Sequence, residues 1–295
     1  SDVVRAGVAL MHAGMGQRGV AEMGKNAARA HELLDETSAW RPFCRFLQGV
    51  ASQLAGERDK ARDLLQEGAH LAAASAPMVQ ALCLAQLVLL AADEDDHERA
   101  MTLADRATAQ VRRCGLGDCP SVALPIAVSA ELRAQRGQVT EATSEVREAF
   151  GLLARITDPS PWYEAECQIV MARATLRLNG PAPAGDLLDE ARRSVGRTPD
   201  APVLSDWLDE ASACVALAAN SSAEEDWSLT TAELRVLRFL PSHLSFREIA
   251  DRLYVSPNTV KTHARGIYRK LGVSSRASAV DRACGAGLVD PGVGA

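Results

Sequence analysis

Lys261, Arg265 and Arg269 recur every four residues in SPNTVKTHARGIYRKLGV, residues 256–273, which carries a further cation at Lys270 and no acid. On a helix that spacing puts the three cations on one face. Asn258 and Thr262 join them, while Val260, Ala264, Ile267 and Leu271 form an apolar stripe on the other side. A face of this kind carries out no covalent step. It suits a polyanion: cations and helix-end N–H groups hold phosphates, and side chains one turn in reach base edges in a major groove wide enough for one helix.

Such a face matters only if neighbouring elements hold it out. Thr230 and Glu233 in LTTAELRVLRFL have capping-box spacing ahead of Leu234, Leu237 and Leu240. Ser245 and Glu248 repeat the device ahead of Ile249, Ala250 and Leu253. Ser256 is an N-cap with Pro257 at the first helical position, and Gly272 ends the third helix, predicted over 257–271. A fourth helix is expected from Arg276 to Cys284, capped by Ser274 or Ser275. A solvated basic face is the commonplace reading of a charge run. Two short capped helices, an abrupt turn and a third helix basic on its outer face together favour DNA.

The rest of the chain has the opposite charge. Residues 228–290 contain 10 Lys or Arg against 5 Asp or Glu, and the remainder 22 against 33. The asymmetry points to nucleic acid at the basic end. The stretch 218–228, AANSSAEEDWS, reads as a linker. Upstream, segments align on Ala61, Ala100, Ala142 and Ala184, which are 39, 42 and 42 residues apart, with a weaker copy on Ala30. Apolar-striped helices lie between the copies, and Pro77, Pro120, Pro159, Pro161 and Pro199 fall where helices should stop. This is the pattern of stacked helix pairs, each burying its apolar face on its neighbours. The expected fold is all-α: a tetratricopeptide-like helical-repeat solenoid over 1–217, the linker 218–228, a four-helix domain over 229–289 and a tail over 290–295.

The C-terminal motif SPNTVKTH…IYRKLGVSSR resembles the LuxR/GerE helix-turn-helix family across roughly 228–289. The resemblance implies base contacts from Lys261, Thr262 and Arg265, and phosphate contacts from Ser256, Asn258, Thr259, Arg269 and Lys270. It also implies a pairing helix that uses Ala277, Val280, Asp281 and Cys284 in a homodimer on double-stranded DNA. RNA polymerase is an implied partner. Two departures stand out: His243 replaces a usual turn glycine, and Gly266 sits inside the recognition helix, where it is expected to weaken helix formation before DNA arrives. The order of repeats and domain resembles the C-terminal part of MalT-like, large ATP-binding LuxR regulators. ATP would then belong to a module outside these residues.

Other classes find little support. GVAEMGKN, 19–26, has the glycines and lysine of a phosphate loop, but Asn26 stands where a magnesium-binding hydroxyl is needed and no strand precedes it. No enzyme, resident cofactor or metal is expected; Cys114, Cys119 and His97 are too few for a closed site. Seven scattered cysteines without a C-x-x-C pair suit reduced, cytoplasmic thiols, and no apolar run reaches a membrane span. Trp40, Trp162 and Trp207 are expected in the repeat core, and His12, His31, His70 and His97 at the surface. The solenoid is expected to offer a concave surface to an effector or assembly partner. The alternative reading is a protein-interaction scaffold whose C-terminal domain mainly dimerises.

Overall fold

A computed structural model describes residues 2–16, 18–225, 229–242, 244–285 and 288–289, without the side chains of 221–225 and 285. His243 therefore lies outside the described residues. The chain divides into two compact units, 1–219 and 220–295, and every regular element described is helical.

In the first unit, helices alternate between an inner and an outer layer. The inner helices are α1 (Asp2–Met15), α3 (Arg41–Leu54), α5 (Pro77–Asp93), α7 (Ala123–Gln135) and α9 (Pro161–Asn179). The outer ones are α2 (Val20–Leu33), α4 (Arg58–Ala72), α6 (His97–Arg113), α8 (Val139–Leu153) and α10 (Pro181–Gly196); α11 (Pro202–Glu225) follows. The four anchor alanines each occupy the fourth position of an outer helix and are 0% exposed. A methyl group there lets the paired helices approach closely. The chain turns into α4, α8 and α10 through Gly56, Gly137 and Gly180, all at positive φ, and Asp95 takes the same conformation before α6.

The weaker copy is misaligned by two turns. The fourth position of α2 is Met23, 1% exposed; Ala30 lies seven residues on. Both face the core, so a periodic pattern cannot separate them. The expected linker is helical through Glu225, because Ala and Glu extend α11 without an apolar stripe. Trp162 and Trp207 are buried, but Trp40 is 59% exposed, and His31 is buried rather than at the surface.

The inner helices do not line an open concave groove. Residues 81–91 of α5 and 165–172 of α9 are buried without a break, as in helices enclosed on all sides. Phe46 of α3 meets Trp162 of α9 with ring centroids 6.3 Å apart, and Trp207 of α11 donates to Asp93 of α5 at 3.0 Å. The ends also meet. Asp200 accepts from the Ala21 N–H at 2.9 Å, and the Ser160 hydroxyl lies 3.0 Å from the Met15 carbonyl. The inner faces thus close on one another as one main core, with two small clusters beside it.

Inside that core, Glu166 of α9 is fully buried and accepts from Gln86 Nε2 at 2.7 Å. Burial pushes its carboxyl up to about 8. An unfolded Glu titrates near 4.3, so the folded state holds the extra proton between these values. The associated stability is complete below about pH 4 and is lost as pH rises through 8. Glu166→Gln should keep the hydrogen bond and remove this loss, gaining on the order of 5 kcal/mol at pH 8 and little at pH 4. Thermal melts of both proteins across pH 4–9 check this; parallel pH profiles would refute it.

Candidate nucleic-acid interface

The second unit is built from α12 (Thr231–Leu237), α13 (Phe246–Leu253), α14 (Pro257–Lys270) and α15 (Arg276–Gly285). Both expected capping boxes form. Thr230 N donates to Glu233 at 2.7 Å and Ser245 N to Glu248 at 2.8 Å, with the reciprocal hydroxyl acceptances present. Ser256 accepts from Thr259 N at 3.1 Å, and Gly272 turns the chain at φ 64°. For α15 the cap is Ser275, which accepts from Ser278 N at 3.1 Å.

The core gathers Val236, Leu237, Leu240, Ile249, Val260 and Ile267, with Leu271 and Ala279. Ala264 is also buried, so all four residues of the α14 stripe face inward. Lys261, Thr262, Arg265 and Arg269 are exposed on the opposite side with Asn258. Among the described residues Lys261, Arg265 and Arg269 have no ion-pair partner. Thr262 donates to the Asn258 carbonyl at 3.0 Å, which holds its side chain against the helix. Ser256 and Thr259 hydroxyls are 2.8 Å apart at the cap, so each holds the other in place. On α15, Ala277, Val280, Asp281 and Cys284 share a face left exposed or half-buried, while Ala279 and Ala283 point inward.

Lys270 departs from its expected role. Its Nζ donates to Glu233 Oε2 at 2.6 Å, so it is turned into the domain rather than free for a phosphate. Burial raises the Glu233 carboxyl, but hydrogen bonds from Lys270 and Thr230 outweigh it and hold the group below its ordinary value. Glu233 also explains Gly266. A Cβ there would sit 2.5 Å from Glu233 Oε1, so the helix is continuous through a glycine that makes room for a buried carboxylate. Gly266→Ala, which would gain up to about 1 kcal/mol in an open helix, should destabilise this domain instead. Hydrogen exchange across 231–285 in the full chain reads the loss, and Glu233→Ala in the same chain should recover part of it.

Sequence reasoning missed Arg276. Its guanidinium donates to the carbonyls of Leu240 at 2.8 Å, Leu244 at 2.7 Å, Ser242 at 2.6 Å and Phe239 at 3.3 Å, and lies 5.9 Å from the Phe246 ring centre. It ties α15 to the turn between α12 and α13. Its position after two serines was the available signal, but its acceptors are backbone atoms more than thirty residues away. Tyr254 was also missed: it is left-handed at φ 55° and 95% exposed just before α14.

The phosphate-loop-like segment is occupied differently. Helix α1 precedes it, Lys25 pairs with Glu22 at 2.9 Å, and the N-terminus of α2 already holds the Asp200 carboxylate. Among the described residues no three His, Cys, Asp or Glu gather as metal ligands, and no helix is long and apolar enough to cross a membrane.

Residues 227–283 match the model of the luxR family of bacterial regulatory proteins, the GerE domain. A Mycobacterium bovis protein provisionally named an HTH-type transcriptional regulator is 50% identical over 56 residues, 19% of this chain and 6% of that one. The Mycobacterium tuberculosis protein named as transcriptional regulatory protein NarL is 47% identical over 62 residues, 21% of this chain and 29% of its own. The likeness to these relatives thus spans about a fifth of this chain, and the matched stretch is a small part of their length. The solved structure of aspartyl phosphate phosphatase F from Bacillus subtilis superposes with TM-score 0.48 at 15% identity, covering 72% of this chain and 60% of that one. The four C-terminal helices are a luxR-type helix-turn-helix domain.

Proposed function

We propose that this chain is a sequence-specific DNA-binding transcription regulator that places α14 in the major groove. The observation that carries the reading is the outer face of α14: three cations without an ion-pair partner among the described residues, backed by a stripe buried in a capped four-helix core. Lys261, Thr262 and Arg265 read base edges, Arg to guanine being the commonest specific pairing. Ser256, Asn258, Thr259 and Arg269 hold phosphates and set the register. Two copies pair through the α15 face of Ala277, Val280, Asp281 and Cys284 and present α14 to successive major grooves. The helical unit acts as the assembly or effector-sensing part, and an activator of this kind would meet RNA polymerase on the DNA.

The test is a titration of a random duplex pool with the full chain at two salt concentrations, with the bound DNA sequenced. Binding that weakens with salt and enriches one motif supports the reading. Absence of binding at low salt overturns it in favour of a scaffold whose C-terminal domain only dimerises.

A further inference from the structure

A groove of about 610 Å³ runs along α6 between α4 and α5. Its walls carry His70, Arg99 and Arg106, and its floor is Leu84, Leu87 and Leu103, all buried. A smaller hollow of about 180 Å³ shares Gln80, Leu84 and Arg106 with it and continues to Arg113. No carboxylate lines either. Arg99, Arg106 and Arg113 are seven residues apart, so they stand in one row over about 21 Å of helix.

This row does not come with the repeat. Relative to the anchor alanines, the same three positions hold Lys60, Glu67 and, just past the end of α4, Ala74; Glu141, Glu148 and, just past α8, Arg155; and Pro183, Glu190 and, just past α10, Arg197. The cations there are already paired: Lys60 with Glu57 at 2.7 Å, Arg155 with Asp118 at 3.9 Å, and Arg197 with Glu164 at 3.6 Å. In the sister groove lined by Lys25 and Lys60, each lysine has its own glutamate. Among the described residues the guanidiniums of Arg99 and Arg106 have no hydrogen-bond or ion-pair partner, although the Arg99 backbone N–H donates to Asp96 at the start of α6, and the Arg113 guanidinium donates only to the neutral Gln110. Three uncompensated guanidiniums in a unit with 22 basic against 30 acidic residues over 1–219 are positioned for an anion from outside.

We infer that this groove along α6 is a docking site for an acidic peptide segment of a partner protein. The row is too long for one phosphate or carboxylate, which one or two arginines would satisfy. A duplex is too broad to reach the leucine floor between neighbouring helices. A single segment with acids along one edge and apolar side chains beneath fits both the row and the floor. The inference deepens the reading of the helical unit as an assembly part and rests on it, but not on DNA binding.

The experiment uses the full chain carrying Lys261→Ala and Arg265→Ala, so that the recognition helix cannot capture the probe. The probe is fluorescein-labelled oligoglutamate of roughly fifteen residues, long enough to span the row as a helix, followed by anisotropy. Salt-sensitive binding is expected, weakened roughly tenfold or more by R99Q/R106Q and by R99E/R106E, and unchanged by K25Q/K60Q. Helical circular dichroism and melting confirm that each variant is folded. No binding by the folded protein overturns the inference, as does binding indifferent to the Arg99 and Arg106 changes. Displacement by equimolar tripolyphosphate would make this a small-anion site instead. Loss of duplex binding when R99Q/R106Q is placed in the otherwise unchanged chain would make it a DNA phosphate track, and either result sinks the peptide assignment.

Discussion

A full chain carrying Lys261→Ala and Arg265→Ala is expected to lose its preferred DNA motif and at least about thirtyfold of its affinity for it, at unchanged stability. Each base-reading pair discriminates by roughly 1–3 kcal/mol, so two lost contacts reach that range. Stability should hold because both side chains are exposed and have no ion-pair partner among the described residues; surface changes of this kind shift folding by about 0.5 kcal/mol or less. Arg269→Ala gives the contrast. Assigned to a phosphate, it should weaken binding to all sequences alike and reduce the salt slope by about one. Competition between a selected and a scrambled duplex at several salt concentrations separates the two behaviours. A double variant that kept the motif would move sequence reading away from α14.

Arg276→Ala should abolish DNA binding without touching the reading face. The change leaves the carbonyls of Phe239, Leu240, Ser242 and Leu244 without their shared donor and removes a cation from the Phe246 ring. Hydrogen bonds from a charged donor contribute about 1.5–3 kcal/mol each, so losing the set costs several kcal/mol. A domain of this size has a net stability of only about 5 kcal/mol, and the loss should unfold it. Arg276→Lys should rescue poorly, since one ammonium cannot span four acceptors as a planar guanidinium does. Hydrogen exchange on the full chain is the readout: protection should vanish across 231–285 and persist across the helical unit. Retained protection there would show that the turn holds itself.

These two arginines mark where the sequence was legible. The exposed place of Arg265 on the outer face of α14 follows from four-residue spacing, a local property. The capping boxes at Thr230 and Ser245 are likewise local and mark helix starts, and the glycine after α14 marks its end. Arg276 acts on carbonyls that carry no side-chain signature. Lys270 looked like its neighbours on α14 until Glu233, 37 residues away, was found against it. The repeats showed the same division. Four alanines gave the register of the outer helices because each opens a helix at the same position. Ala30 misled, since a residue seven places from the true equivalent faces the same way. That the inner faces meet depends on contacts such as Phe46 with Trp162, which no spacing within either helix encodes.

The contacts of Asp200 with the start of α2 and of Ser160 with the end of α1 join residues 179 and 145 positions apart. An open stack of repeats frays from its ends, one unit at a time, because each touches only its neighbours. This stack is fastened into a hoop. Opening it anywhere strains the clasp, so the helical unit should melt in one sharp step. A partner gripping one segment would then change the stiffness of the whole hoop.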